Sequence, residues 1–174
     1  MPAVFWALRG GGPGSWGVII SATFRVFPTF DAIHHTTTII VNSTEDVGTL
    51  STLHAQHIFD MDLLHPSQFF TWIPTPPTFT GFIETYFPDT SIAAANASFA
   101  PFLNAVSELG FPFEISIQQS TINDILINKT LDDQSGGEGV AGSRLLSEDV
   151  YRQNATAIGA AYKALFDGGI VGLV

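Results

Sequence analysis

Two hydrophobic rhythms alternate along the chain. Gly17 to Phe27 is rich in β-branched and aromatic residues and stops at Pro28, which predicts a strand; the run HHTTTIIV, His34 to Val41, predicts a second. Thr44 with Glu45 and Asp46 behind it predicts an N-cap and the first turn of a helix that runs to about Asp62. Phe69 to Pro74 and Phe79 to Phe87 predict two strands joined at TPPT, a turn no helix crosses. Ser91 opens a helical stretch carrying Ile92, Phe99, Phe102, Val106 and Leu109, with Gly110 as its stop; Pro101 either kinks this helix or marks its first turn. Phe113 to Gln119 predicts another strand. Asp132 to Gly142 is a loop by composition, followed by a short strand at Ser143 to Leu146. Ser147 is expected to cap one long helix with Val150, Ile158, Ala161 and Leu165 on one side, ending at Gly168. The terminal IVGLV reads as the start of a strand.

This order predicts an α+β fold, a mostly antiparallel sheet with helices on one face. Period-two alternation sorts the strand side chains. Glu84 and Tyr86 share a phase with Phe82, opposite Phe79, Ile83 and Phe87. Glu114, Ser116 and Gln118 lie opposite Phe113, Ile115 and Ile117. The apolar phase is expected to be buried against the helices at about 91–109 and 147–168. The polar phase is expected to line a cavity or face solvent. Trp72 fits either side.

Composition narrows the chemistry. The 174 residues and 45% hydrophobic content supply one core. Six basic residues against 16 acidic ones, a formal charge of −10, are too few cations for a nucleic-acid partner or an anionic membrane surface. The absence of cysteine excludes disulfides, thiolate metal sites and a Cys nucleophile. No apolar run is long enough to span a bilayer. His54 and His57, with Asp60 three residues later, share a helical face, but no third ligand is placed convincingly and no H-E-x-x-H occurs, so a surface helix with scattered histidines is expected and no metal. G-x-S-x-G is absent, which removes the Ser-hydrolase reading. No residue is assigned as a catalytic acid or base. Four N-x-[ST] sequons, at Asn42, Asn96, Asn128 and Asn154, point to a glycosylated protein of the secretory pathway. Set beside the lack of a signal peptide, they raise the expectation that the chain is part of a longer one.

One stretch remains, FWALRGGGPGSWGVII at positions 5 to 20, with Gly12, Gly14 and Gly17 at G-x-G-x-x-G spacing. A dinucleotide loop needs a strand before it and a helix after it, and Val18, Ile19, Ile20, Thr23 and Phe24 follow here in a strand pattern. A P-loop lacks its Lys. A plain glycine-rich hairpin accounts for the local pattern equally well. Taken whole, FWALRGGGPGSWGVIISATFRVFP closely resembles the F-W-A-[LI]-R-G-G-G-G-x-x-[FY]-G-[IV]-V segment of FAD-linked oxidases with a PCMH-type flavin domain, the berberine-bridge-enzyme and oligosaccharide-oxidase group. AGSRLLSEDVYRQN is more loosely similar to a strand-then-helix segment of the secreted fungal members.

The resemblance implies that residues 1–28 end an FAD-binding domain and that 29–174 form most of a substrate-binding α+β domain. It implies flavin contact by Gly11, Gly12, Gly14, Ser15, Gly17 and Val18, where glycines let the backbone approach anionic or carbonyl oxygens; Pro13 replaces a usual glycine. It further implies a small-molecule substrate against Glu84, Tyr86, Ser116, Gln118 and Trp72. The implied activity is oxidation of an alcohol, amine or sugar-like carbon by hydride transfer to FAD, with oxygen as acceptor. The family's flavin-anchoring residues have no counterpart in this chain. The alternative is therefore a non-catalytic α+β domain without cofactor.

Overall fold

A computed structural model describes residues 5, 7, 17–128 and 145–169. Four antiparallel strands form one sheet: β1 (Asp31–Val41), β2 (Ser67–Thr75), β3 (Thr78–Pro88) and β4 (Phe113–Thr121), in the order β2-β3-β1-β4. The helices are α1 (Thr44–Met61), α2 (Ile92–Glu108), α3 (Ile122–Asn128), α4 (Glu148–Gln153) and α5 (Ala155–Asp167), with a short 3-10 turn at Asp62–Leu64. The predicted α+β class, with helices packed on one sheet face, is the observed one.

Burial follows the strand pleat. Ile33, Ile39 and Val41 of β1 and Ile83 and Phe87 of β3 point into the helix layer, where Val47 and Leu50 of α1 and Phe99, Phe102 and Val106 of α2 meet them. Burying each such side chain contributes roughly 1.5–3 kcal/mol. Trp72 of β2 belongs to this layer. It is fully buried over Gly81, where a Cβ would come within 3.2 Å of the indole, and its N–H donates to Ser51 Oγ at 3.0 Å. Phe166 of α5 closes the layer edge-on to Trp72 and Phe79. A close crossing holds α5 to α1. A Cβ on Gly159 would overlap Thr52 Oγ1 and the Gly48 carbonyl, so only glycine fits there.

Several boundaries differ from the pattern reading. Ser43 caps α1, accepting from the Asp46 N–H at 3.1 Å, and Thr44 is the first helical residue. Pro101 sits inside α2 on its exposed side, so it is not the helix start. Ser91 caps that helix, and Gly110 ends it with φ +74°, a conformation that favours glycine. The single helix expected from Ser147 to Gly168 is two. Asn154 at φ −136° and ψ 35° leaves the helical region, and α5 starts afresh with Ile158, Gly159 and Phe166 as its buried residues. Ala161 and Leu165 are exposed. The pattern also missed α3.

Gly17 to Phe27 forms no strand; it is exposed and without regular structure because no described strand pairs with it. Leu145 and Leu146 are likewise not in a strand. Ser143, Arg144, the loop at 132–142 and the terminal IVGLV lie outside the described residues.

Candidate functional site

The strand registers gather one set of polar side chains on the face away from the helices. His34 stands opposite Tyr86 on one side and Gln118 on the other; Thr36 stands opposite Glu84 and Ser116. Glu84, Tyr86, Ser116 and Gln118 therefore share a face, as the alternation predicted. No residue of α1, α2 or α5 named in the core reaches that face, since those helices pack on the opposite one.

At its centre Glu84 Oε1 accepts two hydrogen bonds, from His34 Nε2 at 2.8 Å and from the Tyr86 hydroxyl at 3.0 Å. The His34 and Tyr86 rings stack with centroids 4.6 Å apart and planes 2° from parallel. Thr36 Oγ1 lies 3.3 Å from the same imidazole nitrogen. His34 and Glu84 are both mostly buried, with side-chain exposures of 18% and 13%. A histidine held by a carboxylate and a stacked ring is an oriented group for donating, accepting or binding. His34 went unnoticed in the sequence because the HHTTT run reads only as β-branched strand. The sheet register, which no local pattern reveals, puts it beside Glu84.

Around this cluster the face is mixed. Phe69, Ile73 and Ile40 are large, apolar and exposed on the same side, while Ser116 and Gln118 on edge strand β4 are exposed. Beside Tyr86 a cavity of about 160 Å³ opens at the end of the face, lined by Phe30, Ala32, His65, Ser67, Tyr86, Pro88 and Ile122. Trp72 does not join this set. Its position opposite Gly81 turns it to the helix side, where it is a core residue and its N–H is already used.

The apolar phase of β4 is only partly covered. Phe113 and Ile117 pack against the core, but Ile115 remains 43% exposed. It lies on an edge strand, while α1 and α2 sit over β1 and β3.

Of the residues assigned to flavin contact, Gly11, Gly12, Gly14 and Ser15 lie outside the described residues. Gly17 and Val18 are exposed, and a Cβ added at Gly17 would meet nothing within 4 Å. The described residues present one uncovered wall, the polar sheet face. The histidines of α1 turn to other partners. His57 Nδ1 is 2.9 Å from Asp60 Oδ2, and His54 Nε2 is 2.7 Å from Gln68 Oε1. Among the described residues no group of three His, Cys, Asp or Glu side chains gathers into a metal site. No described helix is long and apolar enough to cross a membrane.

Known proteins share parts of this arrangement. No family model matches the chain. In sequence it is similar to FAD-linked oxidoreductases. One, FAD-linked oxidoreductase patO of Aspergillus clavatus, is 27% identical over 98% of the chain and 30% of that protein. Another, FAD-linked oxidoreductase easE of Claviceps fusiformis, is 39% identical over 51% of the chain and 16% of that protein. The flavin-dependent oxygenase ucdF of Aspergillus ustus is 27% identical over 85% of the chain and 29% of that protein. In fold it resembles part of two VAO-type flavoproteins. MtVAO615 of Myceliophthora thermophila matches with a TM-score of 0.64 over 95% of the chain and 30% of that protein, at 18% identity. MtVAO713 of the same organism matches with a TM-score of 0.60 at 20% identity. The chain spans less than a third of the length of these relatives.

Proposed function

We propose that this chain is the substrate-side part of an FAD-dependent oxidoreductase, with residues 1–28 ending the flavin domain and 29–174 forming the substrate domain. The observation that carries the reading is the uncovered sheet face, where Glu84 holds both His34 and Tyr86 while apolar side chains stand exposed around them. Monomeric proteins seldom leave such a surface uncovered unless something binds it. In this reading the face is the floor of the cavity for a small alcohol, amine or sugar-like molecule. Tyr86, Ser116 and Gln118 donate and accept hydrogen bonds to its polar groups. His34, oriented by Glu84, receives the proton released from its hydroxyl or amine. FAD, when bound, supplies the hydride acceptor, and oxygen reoxidises it.

The sequons add a secretory-pathway origin to the proposal, supported by the exposure of Asn42, Asn96 and Asn154. The second reading is a non-catalytic α+β domain without cofactor.

A chimera separates the two. Residues 29–169 replace the corresponding segment of the Aspergillus clavatus relative, and flavin absorbance, flavin fluorescence and oxygen consumption are recorded. The expected result is a yellow protein whose flavin spectrum shifts with Glu84→Gln and with Tyr86→Phe. A chimera that holds flavin with a spectrum and turnover indifferent to both changes overturns the assignment of this face.

A further inference from the structure

On the far side of the sheet, between α1, β2, α4 and α5, lies a second cavity, of about 270 Å³. We infer that it is a binding site for a small, neutral, planar aromatic molecule that carries a hydrogen-bond donor, separate from the His34–Glu84–Tyr86 face.

The cavity exists because α1 carries small side chains where it faces β2 and α5. Ser51 and Ala55 stand one helical turn apart, and both are buried. Interiors pack at crystal-like density, and a leucine at position 55 would fill much of this space. An apolar cavity of about 150 Å³ is enough for benzene, so the larger volume suits two fused rings.

The walls are aromatic. Phe70 and Tyr162 lie with ring planes 24° apart and centroids at 6.4 Å, so a flat molecule lying along one lies nearly along the other. The His54 ring packs on Phe70 at 4.4 Å. Arg152, over the Phe59 ring at 3.8 Å, docks α4 on α1 and with it brings Tyr151 to the rim.

The polar groups set the preference for a donor. Gln68 Nε2 donates to Thr85 Oγ1 at 3.1 Å, so the amide oxygen faces His54 and accepts from its Nε2–H at 2.7 Å. That fixes the tautomer and leaves Nδ1 as an acceptor with no hydrogen bond to any described residue. Burial lowers the His54 pKa to about 4, which keeps the ring neutral and Nδ1 available near neutral pH. Tyr151 and Tyr162 line the same space. Among the described residues no Lys or Arg lines it, and their one carboxylate there, Asp62, is exposed, which suits a neutral ligand.

The probe is 2-naphthol, with naphthalene as its donor-free counterpart, added to the full chain. Binding is measured by titration calorimetry and mapped by amide chemical shifts. Expected are a single saturable site and shifts concentrated in α1, β2 and α5. Naphthalene should bind about tenfold more weakly, the order of one hydrogen bond. Ala55→Leu should weaken 2-naphthol at least about tenfold without lowering the unfolding midpoint. His54→Phe should bring 2-naphthol down to the affinity of naphthalene. If Ala55→Leu does not fold, the shift map and the two-probe comparison on the unmodified chain decide the matter. Absence of saturable binding overturns the inference. So do equal affinities for the two probes, or shifts confined to residues 17–30 or the open sheet face.

Discussion

Acidification from pH 7.5 to 5 is expected to weaken this fold by about 4 kcal/mol through two buried histidines. His35 is fully buried on β1 and His54 nearly so on α1, and desolvation lowers the pKa of each from 6.5 to about 4. Above pH 6.5 both are neutral whether the chain is folded or not, and neither affects stability. As pH falls from 6.5 toward 4, the unfolded chain takes up a proton at each site and the folded chain does not. Stability then drops by roughly 1.4 kcal/mol per pH unit per histidine. At pH 5 that is about 2 kcal/mol each, against a total of about 5–15 kcal/mol for a typical domain. Below pH 4 the folded state also protonates, and the loss levels off.

His35→Phe isolates half of this effect. His35 stacks on Phe99 at 4.3 Å, and its Nε2 is buried without a hydrogen-bond partner. A phenyl ring preserves the stack and removes a polar atom whose burial costs about 1–3 kcal/mol. Urea unfolding at pH 7.5, 6.5, 5.5 and 5 should show the variant at least as stable as the parent at pH 7.5. The gap should widen by about 2 kcal/mol at pH 5. Stability curves that run parallel across this range would falsify the assignment of His35 as a buried neutral histidine.

Other substitutions test the packing. Gly159→Ala should cost about 1–3 kcal/mol by overpacking, because its Cβ has no room beside Thr52 and the Gly48 carbonyl; thermal unfolding reads this directly. Ser51→Ala strands the Trp72 N–H and should cost about 1–3 kcal/mol, with a shift in tryptophan emission on folding. Phe99→Ala should cost about 3–5 kcal/mol, whereas Ile115→Ala on the half-open edge should cost well under that, so equal losses would contradict the burial described. The chain alone should bind FAD weakly or not at all. A yellow preparation that keeps stoichiometric flavin through dialysis would show that one wall is enough.

How much of this was legible in the sequence depended on the range of the interaction. The β2–β3 hairpin and the start of α2 announce themselves through TPPT and Ser91, because turns and caps are set by neighbours in sequence. The shared face of Glu84 and Gln118 was also readable, since alternation needs only a strand and its phase. Trp72 was not, because a lone aromatic in an apolar strand suits either side until Gly81 stands opposite it. The break at Asn154 was hidden because the apolar spacing on both sides continues one stripe. Gly17 to Phe27 misled for the opposite reason: strand propensity is local, but a strand requires an edge to pair with. His34 emerged only once β1 lay between β3 and β4.

That central place of β1 bears on how the protein is made. Of the four strands of this sheet, the one made first ends up in its middle, and its partners lie far downstream. Ile33 pairs with Phe87 and Gln119, and Ile39 with Gly81 and Phe113. At a synthesis rate of about 5–20 residues per second, β1 waits some seconds for β3 and longer for β4, with Ile33, Ile39 and Val41 exposed. Such long-range pairing slows folding and gives a nascent apolar strand time to find a wrong neighbour. Yield in a cell should therefore depend on what shields that strand in the interval, more than on the stability of the finished sheet.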